Sequence, residues 1–144
     1  MAQKMQSLSD RVHDVENLNY IVYSEEKDCG GAQFHYGVYN ARTGAHIQDI
    51  VFQNGPRKES GTTPGLTDVD LLDIVHHRLK AYTKGPYWCE DDIAAACCVY
   101  AALSHLKRRT EGRKSRGILG TYSTDNQDID RDEYLRQEVA NQIG

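Results

Sequence analysis

Three arginines, Arg109, Arg113 and Arg116, close a long apolar stretch at spacings of four and three residues. On a helix those spacings put all three on one face, so three planar guanidinium forks project in one direction. Forks of this kind hold phosphate oxygens through charge-assisted, often bidentate hydrogen bonds. The chemistry they offer is anion binding. A second reading stands beside it: cations at the C-terminal end of a helix offset its macrodipole by about 0.3–1 kcal/mol each, with no ligand involved. Directly after them, Arg116-Gly-Ile-Leu-Gly-Thr121 gathers Gly117, Gly120 and the hydroxyl of Thr121 in a short turn. Backbone amides beside glycine approach phosphates closely, yet Gly117 alone would serve equally well as a helix C-cap.

A nucleotide ligand needs an aromatic platform as well as cations. Tyr82, Tyr87 and Trp88 cluster around Gly85-Pro86, where base stacking would contribute about 1–3 kcal/mol per base. The same rings would also serve to cap a core between two helices, and for Trp88 packing is the stronger reading. Enzyme signatures are weak by comparison. His76 and His77 are adjacent, so they point to different sides of a helix and cannot make an i, i+4 metal pair. Glu90, Asp91 and Asp92 could hold magnesium, but carboxylates gather at helix N-termini for electrostatic reasons alone. Ser104 and His105 are neighbours, the wrong geometry for a nucleophile and its base. Lys84-Gly85-Pro86 lacks the pattern of a phosphate loop.

Composition narrows the partners. The formal net charge of −4 over 144 residues argues against a protein that coats a nucleic-acid polymer, which needs a basic stripe over a whole face. No run reaches the roughly 18 apolar residues of a membrane span, and the N-terminus lacks the apolar centre of a signal peptide. Cys29, Cys89, Cys97 and Cys98 form no Cys-x-x-Cys, so neither zinc nor a disulfide framework is expected, and reduced cysteines fit a cytoplasmic protein. No cofactor is implied.

The elements that must position these residues divide into a strand-rich front and a helical back, an α+β order forming one domain over 1–144. Its parts are a β-rich 1–53, a loop over 54–66, a helical half over 67–121 and a polar tail over 122–144. Ser7 to Glu16 could form a short helix with Leu8, Val12 and Val15 on one side. Tyr20–Tyr23 and Phe34–Tyr39 are β-branched and aromatic, with Cys29-Gly-Gly31 as a turn between them, and His46–Gln53 follows the turn residues Asn40–Gly44. Together they predict a three-stranded antiparallel meander with one face needing a cover. Thr67 and Asp70 signal a capped helix carrying Leu71, Leu72, Val75, Leu79 and Tyr82 on its stripe, ended by Gly85-Pro86. A second helix runs from about Glu90 to Arg116, roughly 40 Å at 1.5 Å per residue. Residues 93–103 are apolar almost all round, which predicts burial on more than one side and hence contact between subunits. In the tail, Ile129, Tyr134, Leu135, Val139 and Ile143 suit a short amphipathic helix from about Asp130.

Taken in order, Phe52-Gln-Asn-Gly-Pro56, Leu72-Asp-Ile-Val75, Arg78-Leu79, Gly85-Pro-Tyr87, Cys89, Arg109-Thr110, Arg113 and Arg116-Gly-Ile-Leu-Gly-Thr121 resemble the phage immune-evasion sponges that bind nucleotide second messengers. The helical half is similar to both the anti-CBASS sponges for cyclic oligonucleotides and the Thoeris anti-defence sponges for cyclic ADP-ribose isomers; the β-rich extension favours the Thoeris branch. The resemblance spans roughly positions 50 to 121. It implies a non-enzymatic homo-oligomer, a hexamer, in the cytoplasm of an infected bacterial host. Such a protein captures the messenger at subunit contacts and releases it intact on denaturation. It implies a cyclic ADP-ribose pocket lined by Tyr82, Asp92, Arg109 and Arg113. Tyr82 adds a hydroxyl to the usual aromatic, and Asp92 stands where an amide is expected. A carboxylate only accepts hydrogen bonds and repels phosphate. By the same resemblance Arg116, Gly117, Gly120 and Thr121 would form a second pocket, for a cyclic trinucleotide. The competing function classes are a phosphodiesterase or hydrolase of a similar nucleotide and, more weakly, a nucleic-acid-binding regulator.

Overall fold

In the computed structural model, the described residues are 4–9, 11, 18–55, 64–121 and 131–143. They form β1 (Met5–Ser7), β2 (Asn19–Ser24), β3 (His35–Asn40), β4 (His46–Val51), α1 (Asp68–Tyr82), α2 (Glu90–Ser115) and α3 (Arg131–Ile143). The class is α+β, as the sequence predicts. The meander has a fourth strand: β1 pairs antiparallel with β2 in the sheet order β1-β2-β3-β4. The helix expected from Ser7 therefore does not start there. Ser7 faces Val22 in the sheet and the Leu8 amide donates to the Ile21 carbonyl at 2.8 Å. Val12 and Val15 lie outside the described residues, as does most of the expected loop after Gly55.

Turn chemistry sets the register of the sheet. Between β2 and β3, Asp28 Oδ1 accepts from the amides of Gly30 and Ala32, and Gly31 takes a φ of +90°. Between β3 and β4, Asn40 Oδ1 accepts from Arg42 and Thr43, both at 2.9 Å, and Gly44 takes a φ of +73°. Both are Asx-type turns in which a short side chain substitutes for a backbone acceptor. Cross-strand tyrosines add to the pairing: Tyr20 stacks on Tyr39 with ring centroids 5.3 Å apart. Beside the end of the sheet, Phe52 and Leu66 form a parallel bridge, with the Leu66 amide donating to Val51 at 2.9 Å. Gly65 makes that approach feasible, because a Cβ there would stand 2.6 Å from the Phe52 carbonyl carbon. The bridge delivers the chain to the start of α1. There, burial and then the Asp68 carboxylate raise the pKa of the Tyr36 hydroxyl, with Asp28 and Tyr23 adding to the effect.

Thr67 and Asp70 form the capping box that the sequence signals: Asp70 N donates to Thr67 Oγ1 and Thr67 N to Asp70 Oδ2. α1 and α2 pack against each other. His76 meets Tyr100 with ring centroids 5.8 Å apart, on either side of the 83–89 turn, as in an antiparallel hairpin. Among the described residues no helix packs across the sheet, and α3 packs on no other element. The hairpin is correspondingly open. Ala96 is buried, but Ile74 is 56% exposed and Tyr100 62% exposed, with Val75 and Ile93 also exposed. The apolar stretch after Glu90 is thus not enclosed within one chain.

Candidate functional site

Residues capable of binding gather at the two ends of the α1–α2 hairpin. At the turn end, Tyr82 closes α1 and is 48% exposed, and Tyr87 and Trp88 in the turn are more exposed still. None of these rings is sequestered within one chain. Tyr82 also has a partner that the sequence reading passed over. Arg78, one helical turn earlier, donates from Nη2 to the Tyr82 hydroxyl at 2.5 Å, with its guanidinium carbon 5.5 Å from the ring centroid. The signal was present as an i, i+4 spacing of a cation and an aromatic.

Asp92 has a local structural task. Its Oδ2 accepts from the Cys89 amide at 3.1 Å and from the Cys89 thiol at 3.4 Å, closing the N-terminus of α2 as the third-position half of a capping box. Glu90 and Asp91 share that first turn, where the helix dipole favours negative charge. A carboxylate at position 92 therefore fits the helix start, whatever it does to a ligand.

At the far end, Arg109 is exposed and Arg113 is buried. The helix ends in a Schellman motif: Ile118 N donates to Arg113 O at 3.0 Å and Gly117 N to Lys114 O at 3.1 Å, with Gly117 at a φ of +71°. The Arg113 side chain folds into the same turn, donating from Nη2 to the carbonyls of Ile118 and Thr121, both at 3.3 Å. Thr121 Oγ1 donates to Ile118 O at 2.6 Å, and Gly120 takes a φ of +77°. Arg116 curls back over Gly112, where a Cβ would sit 3.4 Å from its Nη1. The C-cap reading of Gly117 is thus realised. Arg113, Arg116, Gly117, Gly120 and Thr121 converge on one turn, with Arg109 a helical turn before them.

The two ends are far apart. Arg109 lies roughly 25 Å further along the axis of α2 than Asp92, and Arg113 about 31 Å, at 1.5 Å per residue. One hairpin does not bring Tyr82 and Asp92 to the arginines. Among the described residues no group of three or more His, Cys, Asp or Glu side chains is arranged to hold a metal ion. No helix there is long and apolar enough to cross a membrane.

The chain is thus an α+β protein with an exposed aromatic turn at one end of a helical hairpin and an arginine-and-glycine turn at the other. No protein-family model matches the chain. It is 30% identical over 97 residues to Thoeris anti-defense 1 of Bacillus phage SBSphiJ7, a match covering 62% of this chain and 68% of that protein. The chain belongs to the Thoeris anti-defence 1 family.

Proposed function

We propose that the protein binds and sequesters nucleotide immune second messengers without degrading them. The leading ligands are cyclic ADP-ribose isomers, with cyclic di- or trinucleotides as a further class. The working form is a homo-oligomer, a hexamer, in the cytoplasm of the infected host. Tyr82 stacks a base, aided by Tyr87 or Trp88; Asp92 accepts from a ribose hydroxyl or an amino group; Arg109 and Arg113 grip the pyrophosphate. Arg116, Gly117, Gly120 and Thr121 belong to the second ligand class.

The observation that carries this reading is the separation of the two half-sites on a hairpin with an open apolar surface. A nucleotide is much shorter than the roughly 25 Å between Asp92 and Arg109. A pocket with both halves therefore takes its turn end from one subunit and its arginine end from another. Ile74 and Val75 on α1 and Ile93 and Tyr100 on α2 are exposed and supply apolar surface for that contact.

The test is to incubate the protein with each candidate messenger, denature it by heat and chromatograph the supernatant. Sequestration predicts a stoichiometric loss of free ligand before heating and its full, unaltered recovery afterwards. Loss of ligand at substoichiometric protein, with a new product peak, overturns it in favour of a hydrolase.

A further inference from the structure

Tyr82 differs from a plain aromatic platform by one hydroxyl, and that hydroxyl is in use. Arg78 donates to it at 2.5 Å across one turn of α1. The guanidinium carbon is 5.5 Å from the ring centroid, so the cation sits towards the hydroxyl end of the ring instead of centrally over a face. The ring remains half-exposed and Arg78 itself is exposed. The pair forms one surface, an aromatic face with a fixed positive charge at its edge.

From this geometry we infer that Arg78 is a ligand-binding residue of the pocket. The Tyr82 hydroxyl holds it in position for a phosphate of the nucleotide whose base stacks on the Tyr82 ring. The inference rests on the sequestration reading above and adds a specificity determinant to its turn end. Two physical arguments support it. First, an arginine side chain loses much rotamer freedom when it grips an anion, and a tether that already orders it removes part of that cost. Second, Glu90, Asp91 and Asp92 put three carboxylates at the start of α2, across the same turn. They disfavour an approaching phosphate, and a cation fixed beside the stacking ring offsets them. The guanidinium keeps further N–H donors beyond the one committed to the hydroxyl, so it contacts ring and phosphate together. A phenylalanine at position 82 would stack a base but could not anchor the cation.

Calorimetry with cyclic ADP-ribose isomers on the full-length wild type, Arg78→Ala, Tyr82→Phe, the double variant and Arg109→Ala tests this. Arg78→Ala is expected to weaken binding about tenfold, the scale of a charged hydrogen bond, and to flatten its salt dependence. Tyr82→Phe is expected to weaken binding several-fold while retaining stacking. In the Tyr82→Phe background, Arg78→Ala should cost less than in wild type, because the tether is already gone. Circular dichroism should show unchanged helix content, since Arg78 is on an exposed face. Wild-type affinity in Arg78→Ala, with binding lost in Arg109→Ala, overturns the inference and leaves sequestration standing. No binding of any isomer by wild type overturns the inference together with the capture of cyclic ADP-ribose isomers on which it rests.

Discussion

The two ends of the hairpin solve different problems with similar residue types. At the turn end, charge and rings are displayed: Tyr82, Tyr87 and Trp88 are exposed, and Arg78 is tethered to Tyr82 at the surface. At the other end they are folded in. Arg113 is buried and donates to two carbonyls of the turn that follows it. An arginine on the helix can thus shape the backbone of the turn that follows it, and a shared helix face does not give Arg109 and Arg113 equal roles.

That asymmetry can be broken in graded steps. The largest effect belongs to Arg109→Ala combined with Arg113→Ala, which should abolish capture of a pyrophosphate ligand by calorimetry while gel filtration shows the same elution volume as wild type. Unchanged binding would mean the pocket is misplaced. Separating the two sharpens the contrast. Arg113→Ala should lower stability by about 1–3 kcal/mol in denaturant titration, because two carbonyls lose a charged donor. Arg109→Ala should leave stability within about 0.5 kcal/mol of wild type, as for an ordinary surface site. Equal losses would deny Arg113 its structural task.

Smaller effects probe the turn end and the sheet. Asp92→Asn keeps an acceptor for the Cys89 amide but removes a charge from the start of α2. Thermal melts should show a loss of about 0.3–1 kcal/mol, with affinity for a phosphorylated ligand rising several-fold. Weaker binding instead would mean that the contact of residue 92 with the ligand needs the negative charge and not an acceptor oxygen alone. At Tyr36 the raised pKa favours the neutral phenol in the folded state. Its stabilising contribution is present below the ordinary value of 10.0 and is lost as pH rises through the higher folded value. Tyr36→Phe should therefore show a shallower alkaline decline in stability than wild type.

Legibility in the sequence followed how local the physics is. The start of α1 was readable because Thr67 and Asp70 satisfy each other within one turn. Long segments with clear patterning, β2 to β4 and α2, were readable for the same reason. β1 was not, since Met5-Gln-Ser7 is too short to show alternation and is a strand only because β2 supplies an edge. The cap of α2 was obscured by Cys89, a residue rarely chosen for that position, so Asp92 read as a first-turn carboxylate and a misfit ligand residue but not as half of a capping box. Arg113 lay on the face that its spacing indicates. Its burial depends on the chain turning back at Gly117, which helical periodicity does not encode. Arg78 was visible as a spacing, but its meaning came from the Tyr82 hydroxyl.

Under the proposed function, each pocket draws its aromatic end and its arginine end from different subunits. Co-assembling Tyr82→Ala with Arg109→Ala subunits and measuring ligand capture tests it most directly, because each variant alone has only defective pockets. Random mixing in equal amounts should restore about a quarter of wild-type capture, the fraction of pockets that receive an intact half from each parent. Mixed assemblies that capture no ligand, beside active wild type, would place both halves in a single chain and rule out a pocket shared between subunits.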